Sequence, residues 1–192
     1  MPRDETEIKL KVAHPRAVKL RILELGFVIS APRHLERNFL FDFADMRLRK
    51  SSSVIRLRCE GRRSLLTFKG PPVGSASYKI RREIETEVED GERLREMLEG
   101  IGLREVFCYE KFRTTYTPKP GSTTGAGLVV FDQTPIGNFL ELEGPKRWID
   151  ATARHLGFSR RDYVTASYVS LYLTRCQEEG TKPGSMVFDS GK

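Results

Sequence analysis

Stretch after stretch of this chain alternates with period two, and the polar alternate is nearly always a charge rather than Ser, Thr, Asn or Gln. Glu5–Val12 puts Glu5, Glu7, Lys9 and Lys11 on one face and Thr6, Ile8, Leu10 and Val12 on the other. Val54–Arg58 sets Arg56 and Arg58 against Ile55 and Leu57. Lys79–Val88 alternates Lys79, Arg81, Glu83, Glu85 and Glu87 with Ile80, Arg82, Ile84, Thr86 and Val88. Ser64–Lys69 ends in Phe68-Lys69 before the turn Gly70-Pro71-Pro72, and Lys111, Arg113 and Thr115 share a face further on. Leu128–Asp132 and Asn138–Glu143 follow, the latter with Glu141 and Glu143 opposite Leu140 and Leu142. Period two is the signature of half-buried strands.

Such faces are ordinarily the solvated side of an antiparallel sheet. Here acids and bases recur together in strand after strand, and the chain carries enough apolar helix stripes to cover the sheet's apolar side. Leu94, Met97, Leu98 and Ile101 form one stripe; Val18, Ile22 and Leu25 a second; Ile149, Ala153 and Leu156 a third. A fourth helix is expected from about Arg160 to Arg175, with Val164, Tyr168 and Leu171 inward. If the sheet closes, helices outside and charges inside invert the usual arrangement. Buried ions are costly unless paired or bound to a multivalent ligand. Carboxylates suit Mg²⁺ or Mn²⁺, and guanidinium and ammonium groups suit phosphate oxygens, so the lumen fits a metal–triphosphate complex.

Three times a strand bearing Glu-x-Glu precedes a helix that ends in an apolar–Gly–apolar step: Leu25-Gly26-Phe27, Ile101-Gly102-Leu103 and Leu156-Gly157-Phe158. This weak repeat argues for one domain, residues 1–177, built from related strand–helix units. Thr117–Gly127 reads as a long flexible hairpin loop, and residues 178–192 as a disordered tail. Lys and Arg number 33 against 26 Asp and Glu, a net +7 that predicts an anionic partner. Cys59, Cys108 and Cys176 have neither even number nor CxxC spacing, as in a reduced cytoplasmic protein. Nothing in the sequence resembles a signal peptide or a membrane span. His14, His34 and His155 have no metal-site spacing, Trp148 reads as core, and no P-loop pattern is present.

Glu5-Thr6-Glu7-Ile8-Lys9 resembles the ExExK signature of the CYTH superfamily, the triphosphate tunnel metalloenzymes. In order follow Arg37-Asn38-Phe39-Leu40-Phe41-Asp42, Ile55-Arg56-Leu57-Arg58, Leu66-Thr67-Phe68-Lys69-Gly70, Arg82-Glu83-Ile84-Glu85 and Glu110-Lys111-Phe112-Arg113. Phe131-Asp132, Ile136-Gly137-Asn138-Phe139-Leu140-Glu141-Leu142-Glu143 and Ser167-Tyr168 close the series, which is most similar to the class IV adenylate cyclase (CyaB-like) branch. The resemblance implies a mainly antiparallel β (α+β) fold: a closed eight-stranded barrel tunnel with helices packed outside. It implies Glu5, Glu7, Asp132, Glu141 and Glu143 as ligands for Mg²⁺ or Mn²⁺. It implies Lys9, Arg56, Arg58, Lys69, Lys111 and Arg113 as the triphosphate grip, with Glu83 and Glu85 orienting those bases or holding a second ion. Lys9, Arg58 and Glu143 are the expected catalytic groups.

Hydrolysis of the terminal phosphoanhydride of an inorganic, nucleoside or thiamine triphosphate is the leading expectation. Cyclisation of ATP to cAMP and pyrophosphate is the alternative. Class IV cyclases often carry a His-Phe pair upstream of ExExK, where this chain has Pro2-Arg3-Asp4. A polyphosphate- or RNA-binding module is the non-enzymatic alternative, but a pure anion binder gains nothing from Glu141 and Glu143. The expected partner is a small-molecule triphosphate, with neither nucleic acid nor membrane as main partner, for a monomer or homodimer.

Overall fold

The structure is a computed structural model and describes residues 3–74, 77–121 and 127–189. The strands are β1 (Arg3–Val12), β2 (Phe27–Phe43), β3 (Val54–Glu60), β4 (Arg63–Lys69), β5 (Lys79–Val88), β6 (Leu103–Pro118), β7 (Leu128–Thr134), β8 (Gly137–Glu143) and β9 (Tyr163–Val164). Helices are α1 (Pro15–Glu24), α2 (Arg47–Lys50), α3 (Gly91–Gly100), α4 (Lys146–His155) and α5 (Tyr168–Glu179). β1 to β8 are antiparallel in the order β5-β4-β3-β2-β6-β7-β8-β1, and β1 pairs back onto β5 to close an eight-stranded barrel. The closing seam runs from Arg3↔Glu83 to Glu7↔Lys79. Beyond it, the two residues of β9 take over the same edge of β1 at Lys9 and Leu10.

The barrel is inverted as the alternation predicts. Ile8, Leu10 and Val12 of β1 and Leu140 and Leu142 of β8 lie outside, in a core with Ile22 of α1, Ile149 and Ala153 of α4 and Leu156 at its C-cap. α3 covers another part of the outer face, where Leu98 and Leu94 pack with Phe41, Leu57 and Leu103. Pro15 opens α1 without losing a needed N–H. Asp90 caps α3 by accepting from the Arg93 N–H. Gly26, Gly102 and Gly157, the glycines of the repeat, all have φ between 83° and 93°, the left-handed conformation that lets a chain leave a helix.

Three expectations change. Residues 160–164 do not belong to the last helix. Asp162 accepts from the Ser159 N–H and hydroxyl, closing a separate 3₁₀ turn, and Val164 pairs with Lys9 in β9. The Ser167 side chain then caps α5 through the Ser170 N–H. The tail is not loose over the described residues. Gly180 ends α5, and residues 181–189 run back along the edge of β6 that β7 leaves unpaired. Met186 donates to Cys108 O at 3.0 Å, accepts from the Glu110 N–H at 2.9 Å, and is 1 % exposed. Phe188 packs on Phe112 with ring centroids 5.0 Å apart. The loop expected from Thr117 starts later, since β6 runs to Pro118; residues 122–126 and 190–192 lie outside the described ones. Among the described residues no helix is long and apolar enough to cross a membrane, and the three cysteines are free.

Candidate functional site: the charged lumen

The register of β5, β1 and β8 brings the first half of the site together. Glu7 stands opposite Lys79 on one side and Glu143 on the other, while Lys9 stands opposite Glu141. Two glutamates directly across a strand pair repel each other, so the pairing of Glu7 with Glu143 needs a positive neighbour. Lys9 Nζ lies 3.2 Å from both Glu7 and Glu141, and Lys79 Nζ donates to Glu7 at 2.6 Å. Glu7, Glu141 and Glu143 offer carboxylate oxygens that all lie within 4.8 Å of one another.

Titration behaviour divides these acids. Burial pushes Glu7 and Glu141 up, yet the lysines outweigh it: Lys9 and Lys79 hold Glu7, and Lys9 with Arg113 holds Glu141, well below the usual carboxylate range. Glu143 has no such ion pair among the described residues. Burial, then the charges of Glu141 and Glu7, push it up to about 7 despite Arg113. Glu5 is raised to about 8 by burial and by Glu143 and Glu83. Lys79 is lowered to about 8 although it is ion-paired, because burial and Lys9 outweigh a Glu7 charge that Lys9 already shares. The site thus holds more carboxylate than its ammonium groups neutralise at this point.

The opposite wall is basic. On β6, Lys111 donates to Asp132 at 2.9 Å, and Arg113 donates to Asp132 at 2.8 and 2.6 Å and to Glu141 at 2.5 Å. Glu36 of β2 is fully buried among Arg58, Lys111 and Arg113, at 3.4, 3.3 and 3.6 Å. Arg56 and Arg58 of β3 reach Glu85 of β5 at 3.5 and 3.3 Å, Thr67 donates to Glu85 at 2.7 Å, and Lys69 pairs with Glu83 at 2.5 Å. The buried Nε of Arg56 and of Arg81 has no acceptor among the described residues, which suits an incoming anion.

Glu5, Glu7, Lys9, Arg56, Arg58, Lys69, Glu83, Glu85, Lys111, Arg113, Glu141 and Glu143 line one cavity of about 1570 Å³. Asp132 does not join them. It is fully buried behind Lys111 and Arg113 and also accepts from the Tyr168 hydroxyl at 2.8 Å. It is not one of the Glu7–Glu141–Glu143 group, and Arg113 Nη2 donates both to it and to Glu141. Sequence reasoning overlooked Lys79 and Arg81, although both share the alternation of Glu83 and Glu85. It overlooked Glu36, which sits in the short regular stretch His34–Leu40 of β2, between register shifts at Ala31/His34 and Leu40/Phe41. Arg37 faces away from this wall and pairs with Glu110.

The structure defines a closed antiparallel barrel with charges inside and helices outside. The chain belongs to the CYTH family: residues 3–166 match the CYTH domain. It is 31 % identical over 139 residues to a Methanocaldococcus jannaschii protein named "Putative adenylate cyclase", covering 72 % of this chain and 75 % of that protein. Its fold resembles that of the PH1819 protein from Pyrococcus horikoshii (TM-score 0.73, 23 % identity, 89 % of this chain and 99 % of that one). It also resembles a Hippeastrum protein described as a "putative adenylyl cyclase" with a dominant triphosphatase activity (TM-score 0.65, 20 % identity, 93 % and 97 % covered).

Proposed function

We propose that this protein is a divalent-metal-dependent enzyme that acts on a triphosphate and hydrolyses its terminal phosphoanhydride. One observation carries the reading: three carboxylates share a 4.8 Å cluster and face a wall of Arg and Lys across one cavity. Glu7, Glu141 and Glu143 are the residues that would hold Mg²⁺ or Mn²⁺, and the donor set fits, being all oxygen and carrying excess negative charge. The ion would polarise a phosphoryl oxygen and lower the pKa of bound water.

The chain's own residues do the positioning. Arg56, Arg58, Lys69, Lys111 and Arg113 grip phosphate oxygens and stabilise the charge that builds on the transferred phosphoryl group. Asp132 and Glu36 hold Lys111 and Arg113 in place, so that little reorganisation is needed when the anion arrives. Lys9, between Glu7 and Glu141, fixes the two carboxylates at one spacing. The same grip serves cyclisation of ATP, the activity suggested by the name of the M. jannaschii relative. The choice rests on which oxygen is held in line with which phosphorus. Incubating the protein with Mg²⁺ or Mn²⁺ and inorganic triphosphate, ATP or thiamine triphosphate, then separating the products, tests the reading. Orthophosphate release supports hydrolysis, cAMP with pyrophosphate replaces it by cyclisation, and no turnover of any of the three refutes it.

A further inference from the structure

Asn38 of β2 is a fully buried amide, and among the described residues neither its Oδ1 nor its Nδ2 has a hydrogen-bond partner. It shares the inward face of the strand with Glu36, while Phe39 and Phe41 take the other face and pack in the cluster under α3. In the β2–β3 register it stands directly opposite Arg58, which places the two Cβ atoms about 4.5–5.5 Å apart.

Both neighbours carry an unmatched atom of their own. Glu36 Oε2 and Arg58 Nε are buried without a hydrogen-bond partner among the described residues. The Lys111 ammonium lies 3.3 Å from the first and Glu60 Oε1 3.0 Å from the second, but neither approach has the alignment of a hydrogen bond. A buried amide without partners lowers stability, and its retention marks a role beyond folding. The four atoms are complementary. Asn38 Nδ2 and Arg58 Nε are donors, and Asn38 Oδ1 and Glu36 Oε2 are acceptors. The last torsion of an asparagine is soft, so a small rotation can turn the amide toward both neighbours. As the structure stands, the guanidinium of Arg58 leans toward acids, with Nη2 3.3 Å from Glu85 and Nη1 3.4 Å from Glu36 Oε1.

Resting on the function proposed above, we infer that Asn38 is a positioning residue for Arg58. When phosphate oxygens draw the guanidinium off Glu85, Asn38 Oδ1 accepts from its Nε and Asn38 Nδ2 donates to Glu36 Oε2. The Nη groups are then left to the anion. An amide suits this place better than another carboxylate, because it orients the guanidinium without neutralising it.

The test is a double-mutant cycle of Asn38→Leu and Arg58→Ala. It reads kcat and KM with Mn²⁺ on whichever of inorganic triphosphate, ATP and thiamine triphosphate the wild type turns over fastest, with melting points in EDTA alongside. Leu keeps the branched outline of Asn and carries no polar atom. In EDTA, Asn38→Leu is expected to melt no lower than the wild type, since no hydrogen bond is lost. Its kcat/KM is expected to fall about tenfold or more. Beside Arg58→Ala the same substitution is expected to cost less than about threefold, because its effect runs through the guanidinium. A kcat/KM near that of the wild type, or a loss that persists in full beside Arg58→Ala, overturns the inference and leaves the triphosphatase reading intact. So does a fall in melting point large enough to account for the lost rate. Should Asn38→Leu fail to fold, Asn38→Ala removes the same amide and runs the same cycle. If the wild type turns over none of the three and none with Mn²⁺ moves its melting point, both readings fall together.

Discussion

Glu143→Gln separates the carboxylate's cost to the protein alone from its use in holding an ion. In the metal-free protein Glu143 titrates near 7, against an ordinary 4.5, because burial and the charges of Glu141 and Glu7 oppose its ionisation. For an acid raised on folding, the unfolded chain ionises first, so stability falls as pH climbs from about 4.5 to about 7 and stays low above it. A shift of this size corresponds to about 3 kcal/mol. Gln keeps the side chain's shape and removes the titration. In EDTA at pH 8 the variant should therefore melt about 6–12 °C higher than wild type, and at pH 4 the two should nearly coincide. With saturating Mn²⁺ and triphosphate the order should reverse, because a ligand that binds only the folded state stabilises more the tighter it binds, as the logarithm of its affinity, and the variant has lost a ligating charge. Differential scanning fluorimetry over a grid of pH and metal measures all four corners. Equal melting points in EDTA at pH 8, or an undiminished metal-dependent rise in the variant, would refute the assignment of Glu143 to a repelling cluster that an ion relieves.

Three further outcomes are expected. Arg58→Ala removes a guanidinium held between Glu36, Glu60 and Glu85; kcat/KM should fall roughly 30- to 1000-fold, or about 2–4 kcal/mol, with no rescue by added metal. Asp132→Ala leaves Lys111 and Arg113 buried with one counter-charge fewer, and should cost about 3–5 kcal/mol, a melting-point drop of about 6–20 °C in calorimetry; an unchanged melting point would remove its orienting role. Steady-state assays in EDTA should show no turnover, with Mg²⁺ or Mn²⁺ restoring it; full activity in chelator would sink the metal reading.

Much of the barrel is legible because its strands obey a strict period. In β1 the sign of each residue's side is given by Glu5-Thr6-Glu7-Ile8-Lys9-Leu10, and the structure buries Ile8 and Leu10 outside and Glu7 and Lys9 inside. Where the period breaks, legibility ends. β2 is interrupted by register shifts on either side of Glu36, its most buried charge, so only the short stretch His34–Leu40 keeps a period around it. Asp132 shares a face with ligand candidates, but only the side-chain reach of Lys111, Arg113 and Tyr168 shows that it lies behind the bases. The 3₁₀ turn at Arg160–Asp162 depends on a local bond between Asp162 and Ser159 that helix periodicity does not weigh. The C-terminal segment looks polar and loose in Thr181–Ser185, and what places it is an unpaired edge of β6, more than seventy residues earlier in the chain.

The pairing of lumen charges with one another has a consequence for how any guest is taken up. The interior resembles an ion exchanger whose fixed cations come already loaded with fixed counter-ions: Arg58 with Glu85, Lys69 with Glu83, Arg113 with Asp132 and Glu141. On the proposed function a polyanion competes with Glu85 and Glu83 for Arg58 and Lys69, while Asp132 and Glu36 keep Lys111 and Arg113 in place, and each displaced carboxylate then lacks a positive partner. A divalent cation arriving with the anion supplies it, so uptake is an exchange of one salt for another. Anion and cation are thereby bound to each other's affinity. Whatever factor the ion adds to the grip on the phosphates, the phosphates must add to the grip on the ion.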